Sequence, residues 1–289
     1  MPSLRSLGVD LFWKIAPLMP DSLRLKTHFY WVHKEWPNLS KPESFSEKLQ
    51  WRKLHDRRPL LTTFADKVRV RDYVKQTVGE ECLTKMYWVS EDPNTLRFED
   101  LPNKFVLKTN HGTRWNILVP DKTKADRNAM VATLQGWMKD RYPPERCEWG
   151  YHDIKPLSFA EEFLMTKEGV VPPDFKFFVF HGKARMIQVD LDRSIHHTRC
   201  LYDPDWKLLP VVLGYPSGKG IPRPANFDAL LACAEKLAGN IDFVRVDLYN
   251  VDGRIVFGEL TNYPGGGLEE FTPPSFDKEL GRWWTPTTR

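Results

Sequence analysis

The chain has 289 residues, of which 41% are hydrophobic and 28% are charged. This composition is ordinary for a globular protein with a sizeable core, and the length suits one large domain or two smaller ones. The formal net charge is +4, from 42 basic and 38 acidic residues, which is too even a balance to indicate nucleic-acid binding. No stretch approaches the ~20 apolar residues of a membrane span.

The cysteines and the N-terminus favour a cytoplasmic protein. The cysteines form no Cys-x-x-Cys pair and no zinc-binding spacing, so we expect reduced thiols at Cys82, Cys147, Cys200 and Cys233. The N-terminus lacks the long apolar segment and the small-residue cleavage site of a signal peptide. We expect its helical apolar face to pack on the body of the protein; docking on a membrane surface is the less favoured alternative. That face consists of Leu4, Leu7, Leu11, Phe12 and Ile15.

Residues 1–60 are rich in aromatic and basic residues and have a helical pattern. A helix is predicted over 44–56, where Ser44 or Ser46 can cap the N-terminus. The next segment, 62–79, is predicted as a single helix that Gly79 closes. The expected core anchors of the first helix are Phe45, Leu49, Trp51 and Leu54.

Strand patterns become frequent after residue 85. A short apolar strand over 104–108 runs into a glycine-containing turn, and the strand over 157–164 ends in acidic residues. Two strands are predicted around a turn at His181 and Gly182, and a second hairpin is predicted over 243–260. Helices are predicted over 124–142 and 227–240, the latter stopping at Gly239. Strands mixed with helices, with hairpins prominent, indicate an α+β fold with antiparallel sheets.

The second hairpin carries two acidic residues whose relative position depends on the turn. Apolar and polar residues alternate around Asp247, so this carboxylate lies opposite the apolar face. A two-residue turn would place Glu259 on the other face, whereas a three-residue loop with Gly253 in the left-handed region shifts the register by one. We predict the longer loop because it separates polar from apolar side chains more cleanly. One face then holds Asp247, Phe257, Glu259 and Thr261, above a layer of Val246, Leu248, Val256 and Leu260.

Two carboxylates on adjacent strands of one face repel each other unless a positive charge lies between them. Magnesium takes carboxylate oxygens and keeps positions for phosphate and water, so Asp247 and Glu259 are candidate magnesium ligands. Two solvated carboxylates on an exposed sheet face are the open alternative. The Pro-Gly-Gly-Gly segment over 264–267 either lets an anion approach the backbone closely or forms an ordinary loop.

Several stretches together resemble the ATP-grasp superfamily and, within it, the TupA-like ATP-grasp family of bacterial polysaccharide biosynthesis proteins. The resemblance extends from about Phe45 to Leu280 and is carried by the order and spacing of the stretches. They are FSEKLQW, ADKVRVRDYV, FVLKTNHG, AEEFL, DFKFFVFHGK, VDLDR with HHTR, FVRVDLYNVDG and FGELTNYPGGG. The resemblance implies two α+β subdomains whose antiparallel sheets clasp a nucleotide. It implies a helical segment over 1–60, a first subdomain over 61–165 and a second, with the metal site, over 166–289.

The resemblance also implies ATP and Mg²⁺ as ligands. Two lysines match those that hold the nucleotide phosphates, four residues match the strand along which the adenine lies, and one acid matches the position near the ribose. These positions are Lys67, Lys108, Glu161, Glu162, Phe163, Leu164 and Asp174. Asp247 and Glu259 match the magnesium ligands, and either Thr261 or Asn262 completes the metal shell.

The sequence departs from the ATP-grasp pattern in two places. Residues 111–116, HGTRWN, stand where the family has a small, glycine-rich phosphate lid. Arg114 either contacts phosphate directly or belongs to an altered lid that weakens activity, and His111 either contacts phosphate or caps the turn. Only about 60 residues precede Lys67, so a helical segment is expected to replace the usual N-terminal domain.

Four basic residues are the candidates for the reacting centre: Arg245, Lys176, Arg193 and Arg199. Arg245 matches the arginine that related ligases place at the reacting acyl phosphate. Lys176 alternates with apolar neighbours and therefore points away from the core, either into the cleft or as a surface lysine. Arg193 and Arg199 form a cluster with His196 and His197, which is either an anion-binding site or a charged surface loop.

The resemblance favours an ATP-dependent carboxylate–amine ligase that joins an amino acid or amine to a sugar acid of a cell-surface polysaccharide. A kinase acting on a hydroxyl group and a non-catalytic nucleotide-binding protein are the alternatives. A glycosyltransferase is a further alternative, supported only by the Asp-x-Asp at Asp190 and Asp192. The expected partners are a carboxylate and an amine, with no nucleic acid, and a peripheral association with membrane-bound glycan machinery is left open. The oligomeric state is not predicted.

Overall fold

A computed structural model describes residues 12–191 and 197–288 of the chain. Its α-helices are α1 (Asp21–His33), α2 (Phe45–His55), α3 (Pro59–Ala65), α4 (Val70–Val78), α5 (Arg127–Lys139), α6 (Phe227–Ala238) and α7 (Ser275–Arg282). The strands are β1 (Met86–Ser90), β2 (Phe105–Thr109), β3 (Asn116–Val119), β4 (Ser158–Glu162), β5 (Asp174–Phe180) and β6 (Lys183–Leu191). They continue with β7 (Thr198–Tyr202), β8 (Val212–Leu213), β9 (Phe243–Val251), β10 (Arg254–Thr261) and β11 (Phe271–Thr272).

Two antiparallel sheets form the framework, as the sequence predicts. The four-stranded sheet has the order β1-β4-β2-β3 and the five-stranded sheet has the order β10-β9-β5-β6-β7. The short strands β8 and β11 pair separately. The helices predicted over 124–142 and 227–240 are α5 and α6. The α+β class with antiparallel sheets is therefore confirmed.

The two faces of the five-stranded sheet pack against different parts of the protein. One face packs on α3, α4 and α6, with Phe175 and Phe177 of β5 in that core. The opposite face is apolar at one end, where Phe178 packs against Phe45 of α2. At its other end the same face carries Lys176. Because side chains alternate along a strand, β5 supplies core residues on one face and a charged group on the other.

The helical region before the first sheet differs from the prediction in two ways. Ser44 caps α2 in a capping box with Glu47, but the predicted anchors Trp51 and Leu54 are only half buried. Arg52 and Lys53 are buried instead, because polar partners meet them on the inner side of the helix. The single helix predicted over 62–79 is two helices, α3 and α4, with a break between them.

Both of these helices pack on the five-stranded sheet, with Leu61 and Phe64 of α3 and Val70 and Val74 of α4 in its core. The four-stranded sheet packs mainly on α5. The subdomain boundary predicted near residue 61 stays a prediction, and the packing places residues 59–78 with the second sheet.

The β9–β10 hairpin has the two-residue turn that we did not predict. Asp252 and Gly253 both have positive φ, 51° and 95°, which fits a tight hairpin turn. Val251 therefore pairs with Arg254, and the three-residue loop is wrong.

A β-bulge at Gly258 then shifts the register by one, so that Glu259 pairs with Asp247 after all. A Cβ at Gly258 would lie 3.0 Å from the backbone oxygen of Asp247, so a side chain there would crowd the neighbouring strand. Phe257 pairs with Leu248 and packs in the core, so its predicted position on the face of Asp247 is wrong. Val256, predicted in the apolar layer, lies opposite Tyr249 instead.

The N-terminal prediction is tested only in part. Leu4, Leu7 and Leu11 lie outside the described residues. Phe12 is buried, whereas Ile15 is 46% exposed. Within residues 12–191 and 197–288, no helix has the length and apolar character needed to cross a bilayer.

Candidate active site

Residues of both sheets line one cleft of about 690 Å³. Most of the residues that the sequence singled out meet there, although they come from separate elements. They are Lys67, Lys108, Arg114, Glu161, Glu162, Phe163, Leu164, Asp174, Lys176, Arg199, Arg245, Asp247 and Glu259. Arg193 and His196 lie outside the described residues. The cleft is therefore the candidate active site.

The break between α3 and α4 places Lys67 at the cleft. Oδ1 of Asp66 accepts hydrogen bonds from the backbone N–H groups of Val68 and Arg69, at 2.9 and 3.1 Å, and so closes the turn that leads into the second helix. Nδ2 of Asn110 also donates to Oδ1 of Asp66, at 2.9 Å, which ties the break to the end of β2. The Lys67 ammonium donates to the backbone oxygen of Gly112. Burial lowers the pKa of Lys67.

Lys108 on β2 and Glu161 on β4 meet across the four-stranded sheet. Their Nζ and Oε1 atoms are 2.5 Å apart, and Thr84 donates to the other oxygen of Glu161 at 2.6 Å. Arg71 donates to Oγ1 of Thr84 at 3.0 Å. Burial of Glu161 raises its pKa, but Lys108, Thr84 and Arg71 together outweigh burial, and the net pKa is lowered. Arg71 and Thr84 also line the cleft; sequence reasoning missed both, because no local pattern marks them.

The strand with the adenine-matching residues is fixed to the turn of the β9–β10 hairpin. Nη1 of Arg254 donates to Oε1 of Glu162 at 2.9 Å, and Nη2 donates to the backbone oxygen of Leu83 at 2.9 Å. The backbone N–H of Lys167 donates to Asp252 at 2.8 Å. These bonds join the two sheets at one edge of the cleft.

Lys176 points into the cleft, one of the two positions that its alternation with apolar neighbours predicts. Its ammonium contacts Asp174 on the same strand and lies 3.2 Å from Oδ2 of Asp247 on β9. The side chains of all three residues are less than 10% exposed. A positive charge therefore lies between two buried carboxylates.

Asp247 and Glu259 share Arg245 as a counter-ion. Nη2 of Arg245 lies 2.7 Å from Asp247 and 3.1 Å from Glu259, and it donates to Thr261 at 2.9 Å. Thr261 donates to Glu259 at 2.7 Å. Burial opposes ionisation of Glu259, but Arg245, Lys67 and Lys176 together with the hydrogen bond from Thr261 outweigh burial and lower its pKa to about 2. Burial raises the pKa of Asp247, against the lowering effects of Arg245 and Lys176.

Two of the predicted ligands point away from the cleft. Asn262 is buried and donates from Nδ2 to the backbone oxygen of Leu61 at 2.7 Å. Thr261 is on the face of Glu259 and is favoured over Asn262 as a metal-shell residue. The ring nitrogens of His111 lie 3.3 Å from Oδ1 of Asn110 and 3.2 Å from the backbone oxygen of Trp137. Its side chain supports the loop rather than the cleft.

The loop 110–115 joins β2 to β3 above Lys108. Thr113, Arg114 and Trp115 line the cleft. Arg114 is exposed and has φ of 64°, a backbone conformation that favours glycine. The ring of Trp115 lies over Gly112 so closely that a Cβ there would collide with it. The loop is thus a packed hairpin that presents one arginine to the cleft.

The far end of the cleft contains Arg199, the one remaining predicted cation among the described residues. Arg199 on β7 donates from Nε to Asp190 at 2.7 Å and from Nη1 to Glu269 at 2.8 Å. Nε2 of His197 lies 3.3 Å from Oδ1 of Asp190. Asp190 thus binds side chains of its own sheet, and its Asp-x-Asp partner, Asp192, lies outside the described residues.

The side chains that line the cleft are chemically suited to a magnesium ion bound to phosphate. Asp247 and Glu259 are hard oxygen donors on one face, beside cations that suit phosphate. In the described parts of the chain, no group of three or more His, Cys, Asp or Glu side chains is arranged to hold a metal ion. Two carboxylates would fill two positions of a magnesium shell, and phosphate and water are the usual ligands at the others.

Comparison with known proteins identifies the class as ATP-grasp. The model of one family, TupA-like ATPgrasp, matches residues 47–284. The chain belongs to the TupA-like ATP-grasp family. No curated protein matches the sequence.

Several solved structures are similar in fold. An N5-carboxyaminoimidazole synthase from Aspergillus clavatus has 16% identity and a TM-score of 0.43 over 69% of this chain and 44% of its own. A D-alanine–D-alanine ligase from Bacillus anthracis has 18% identity and a TM-score of 0.41 over 70% and 59%. A PurK N5-carboxyaminoimidazole ribonucleotide synthetase has 13% identity and a TM-score of 0.46 over 74% and 50%. The matched region spans about half the length of these proteins.

Proposed function

We propose that the chain is an ATP-dependent carboxylate–amine ligase that uses ATP and Mg²⁺. One observation carries the proposal: Asp247 and Glu259 pair across β9 and β10, on the face of the cleft that also holds Lys176 and Arg245. Acidic oxygens for a metal and cations for phosphate thus lie in one site. The family to which the chain belongs supports the same activity.

Different residues around the cleft bind different parts of the proposed ligand. Lys67 and Lys108 hold the phosphates by charge, and the segment from Glu161 to Leu164 supports the adenine. Asp247 and Glu259, with Thr261, hold the metal. When bound, magnesium neutralises phosphate charge as it develops during transfer.

The proposed reaction has two steps. A carboxylate of the acid substrate attacks the γ-phosphorus of ATP, which gives an acyl phosphate and ADP. The neutral nitrogen of the amine then attacks the acyl carbon, inorganic phosphate leaves, and the nitrogen gives up one proton to the departing phosphate as the amide forms. Arg245 and Lys176 stabilise negative charge near the reacting oxygens, and the enzyme contributes mainly positioning and electrostatics. The family setting favours a sugar acid of a cell-surface glycan as the acid and an amino acid as the amine.

The first test is thermal stability of the full chain with ATP or a nucleotide sugar, each with and without Mg²⁺. A ligand at about 100 times its dissociation constant stabilises the native state by about 2.7 kcal/mol. We expect magnesium-dependent stabilisation by ATP and none by the nucleotide sugar. Stabilisation by the nucleotide sugar alone would overturn the ligase proposal and favour a glycosyltransferase.

The second test separates a ligase from a kinase by following ADP and inorganic phosphate together. A ligase releases both in equal amounts when acid and amine are present. A kinase releases ADP while the phosphate stays on its product. We expect equal release, with sugar acids and amino acids screened as pairs; ADP release without phosphate would contradict the proposal.

A further inference from the structure

Arg71 and Thr84 line the cleft, but the proposed function gives neither of them a role. Both act on the carboxylate that Lys108 contacts. Oε1 of Glu161 lies 2.5 Å from Nζ of Lys108, whereas Oε2 accepts a hydrogen bond from Oγ1 of Thr84 at 2.6 Å. Nη1 of Arg71 lies 3.7 Å from the same Oε2. The carboxylate of Glu161 therefore lies between two cations, one beside each oxygen.

Thr84 fixes the position of Arg71. Nη1 of Arg71 donates to Oγ1 of Thr84 at 3.0 Å, and Nη2 donates to the backbone oxygen of Thr84 at 2.5 Å. The threonine hydroxyl accepts a hydrogen bond from Arg71 and gives its single proton to Glu161, so it connects the two charged side chains. Because Arg71 belongs to α4 and Glu161 to β4, the helix supplies a fixed positive charge to the four-stranded sheet.

Lys108 is the cation that can turn away from Glu161. Its side chain is 29% exposed, compared with 17% for Arg71 and 9% for Glu161. The ammonium of a lysine lies at the end of a flexible four-carbon stem, whereas the planar guanidinium of Arg71 is held at two points by Thr84. The pair of cations thus contains one fixed member and one movable member.

A phosphate group that binds Lys108 competes with Glu161 for the ammonium. A buried carboxylate that loses its counter-ion is destabilising, so the competition is unfavourable unless a second cation remains. Arg71 remains beside Oε2 while Lys108 turns towards the phosphate. Without Arg71, Glu161 would hold Lys108 more strongly and oppose phosphate binding.

We infer that Arg71 is a positioning residue for ATP binding, because it is a second counter-ion of Glu161 and so frees Lys108 for the nucleotide phosphates. The inference rests on the proposed function, in which Lys108 binds phosphate. Arg71 acts through Glu161 and needs no contact with the nucleotide. Thr84 keeps the arginine in place and passes a hydrogen bond to the carboxylate.

The experiment compares the binding of ATP with Mg²⁺, by calorimetry, and of adenosine, which has no phosphate, by ligand-observed NMR. We expect Arg71→Met in the full chain to lower the affinity for ATP by about fivefold and to leave the affinity for adenosine unchanged. Arg71→Lys keeps the charge and should retain part of the ATP affinity. The matched control is Arg69→Met, at an exposed arginine two residues earlier that does not line the cleft.

Two double variants test whether Arg71 acts through its neighbours. Arg71→Met with Glu161→Gln should recover the ATP affinity, because Lys108 then has no carboxylate to neutralise. Arg71→Met in a Lys108→Ala background should cause no further loss, since the lysine that Arg71 frees is already absent.

Three results would overturn the inference. Equal losses of ATP and adenosine affinity in Arg71→Met would show general damage to the cleft. A double variant with Glu161→Gln that binds ATP no better than Arg71→Met would show that the arginine contacts the nucleotide itself. An ATP affinity in Arg71→Met equal to that of the control would show that Lys108 needs no such help. Each of these leaves ATP binding by the wild type intact, whereas a wild type that does not bind ATP contradicts the ligase proposal and this inference together.

Discussion

The guanidinium of Arg245 donates two parallel hydrogen bonds to Asp247, from Nε to Oδ1 and from Nη2 to Oδ2, both at 2.7 Å. Such paired bonds are stronger and more directional than single ones. Asp247 and Arg245 lie two residues apart on β9, so the strand itself sets their geometry. The burial of Asp247 is therefore compensated within the protein, and its carboxylate is held on the face that Glu259 shares.

The first prediction concerns the two candidate magnesium ligands, Asp247 and Glu259. Asp247→Asn and Glu259→Gln keep the shape of the side chains but remove the negative charge that would hold magnesium. We expect turnover to fall by more than about 100-fold in each, because metal ligands contribute more than the groups that orient them. ADP release measures the effect. Asp228→Asn, at an exposed site outside the cleft, is the control and should leave turnover unchanged. Normal turnover in Asp247→Asn would remove the basis for the metal site.

The second prediction concerns Lys108, one of the two lysines assigned to the nucleotide phosphates. Lys108→Ala removes a cation from the cleft, and we expect ATP affinity to fall by about tenfold because a charged hydrogen bond to phosphate is lost. Glu161 keeps Thr84 as a donor, so the sheet should remain folded. Calorimetry with ATP and Mg²⁺ measures the affinity. Lys104→Ala, at an exposed site just before the same strand, is the matched control. Equal affinities for the two variants would place the phosphates elsewhere.

The sequence predicts the direction of a side chain well where alternation along a strand determines it. It predicts less well where contacts distant in the chain determine it. The direction of Lys176, away from the core, follows from its neighbours on β5 alone. Lys67 matched the family, but the helix break that places it at the cleft depends on Asp66 binding Asn110, which no local pattern shows. The bulge at Gly258 has a recognisable signal, a single glycine inside a strand pattern. Reading that signal would have given the correct register with the two-residue turn.

Other parts of the site depend on contacts that only the folded chain shows. Glu269 follows the Pro-Gly-Gly-Gly segment, for which the sequence left open an anion-binding segment or an ordinary loop, and its contact with Arg199 is visible only in the folded chain. Likewise, Arg52 and Lys53 occupy helix positions that alternate with expected anchors, and their burial is explained by acidic and carbonyl partners distant in the chain. Sequence patterns assign apolar residues to the core. They therefore miss charged residues that are buried with partners distant in the chain.

The loop over Lys108 provides the third prediction, with two outcomes that identify the role of Arg114. Arg114→Gly relieves a left-handed backbone and removes the charge, whereas Arg114→Ala removes the charge alone. If Arg114 binds phosphate, both variants lose ATP affinity, by about tenfold. If the arginine only stiffens the lid, Arg114→Gly keeps or raises turnover and Arg114→Ala does not raise it. We expect the first outcome, because the side chain lines the cleft; it is measured by ATP affinity and by ADP release in the two variants.

The fourth prediction concerns a buried ionic network that joins α2 to the start of β9. Nη2 of Arg52 lies 2.8 Å from Asp242, Arg58 lies 2.6 Å from the same oxygen, and the indole N–H of Trp284 donates to the other oxygen at 2.8 Å. Arg52→Met leaves Asp242 with weaker compensation, and we expect a loss of about 3 kcal/mol of unfolding free energy. Urea denaturation measures it, with the exposed Arg282→Met as control. A loss no larger than that of the control would show that Arg58 alone suffices.

The same network predicts a pH dependence with a definite sign. Burial of Asp242 raises its pKa, but Arg52 and its other partners outweigh burial and hold the pKa below its ordinary 3.8. A carboxylate with a lowered pKa in the folded state stabilises the fold fully above its unfolded pKa, and this contribution is lost as the pH falls through the folded pKa. Wild-type stability should therefore fall as the pH drops below about 4. Asp242→Asn should be less stable at pH 7 and lose less on acidification, because the titrating group has been removed. Equal slopes for the two proteins between pH 5 and acid unfolding would contradict this role for Asp242.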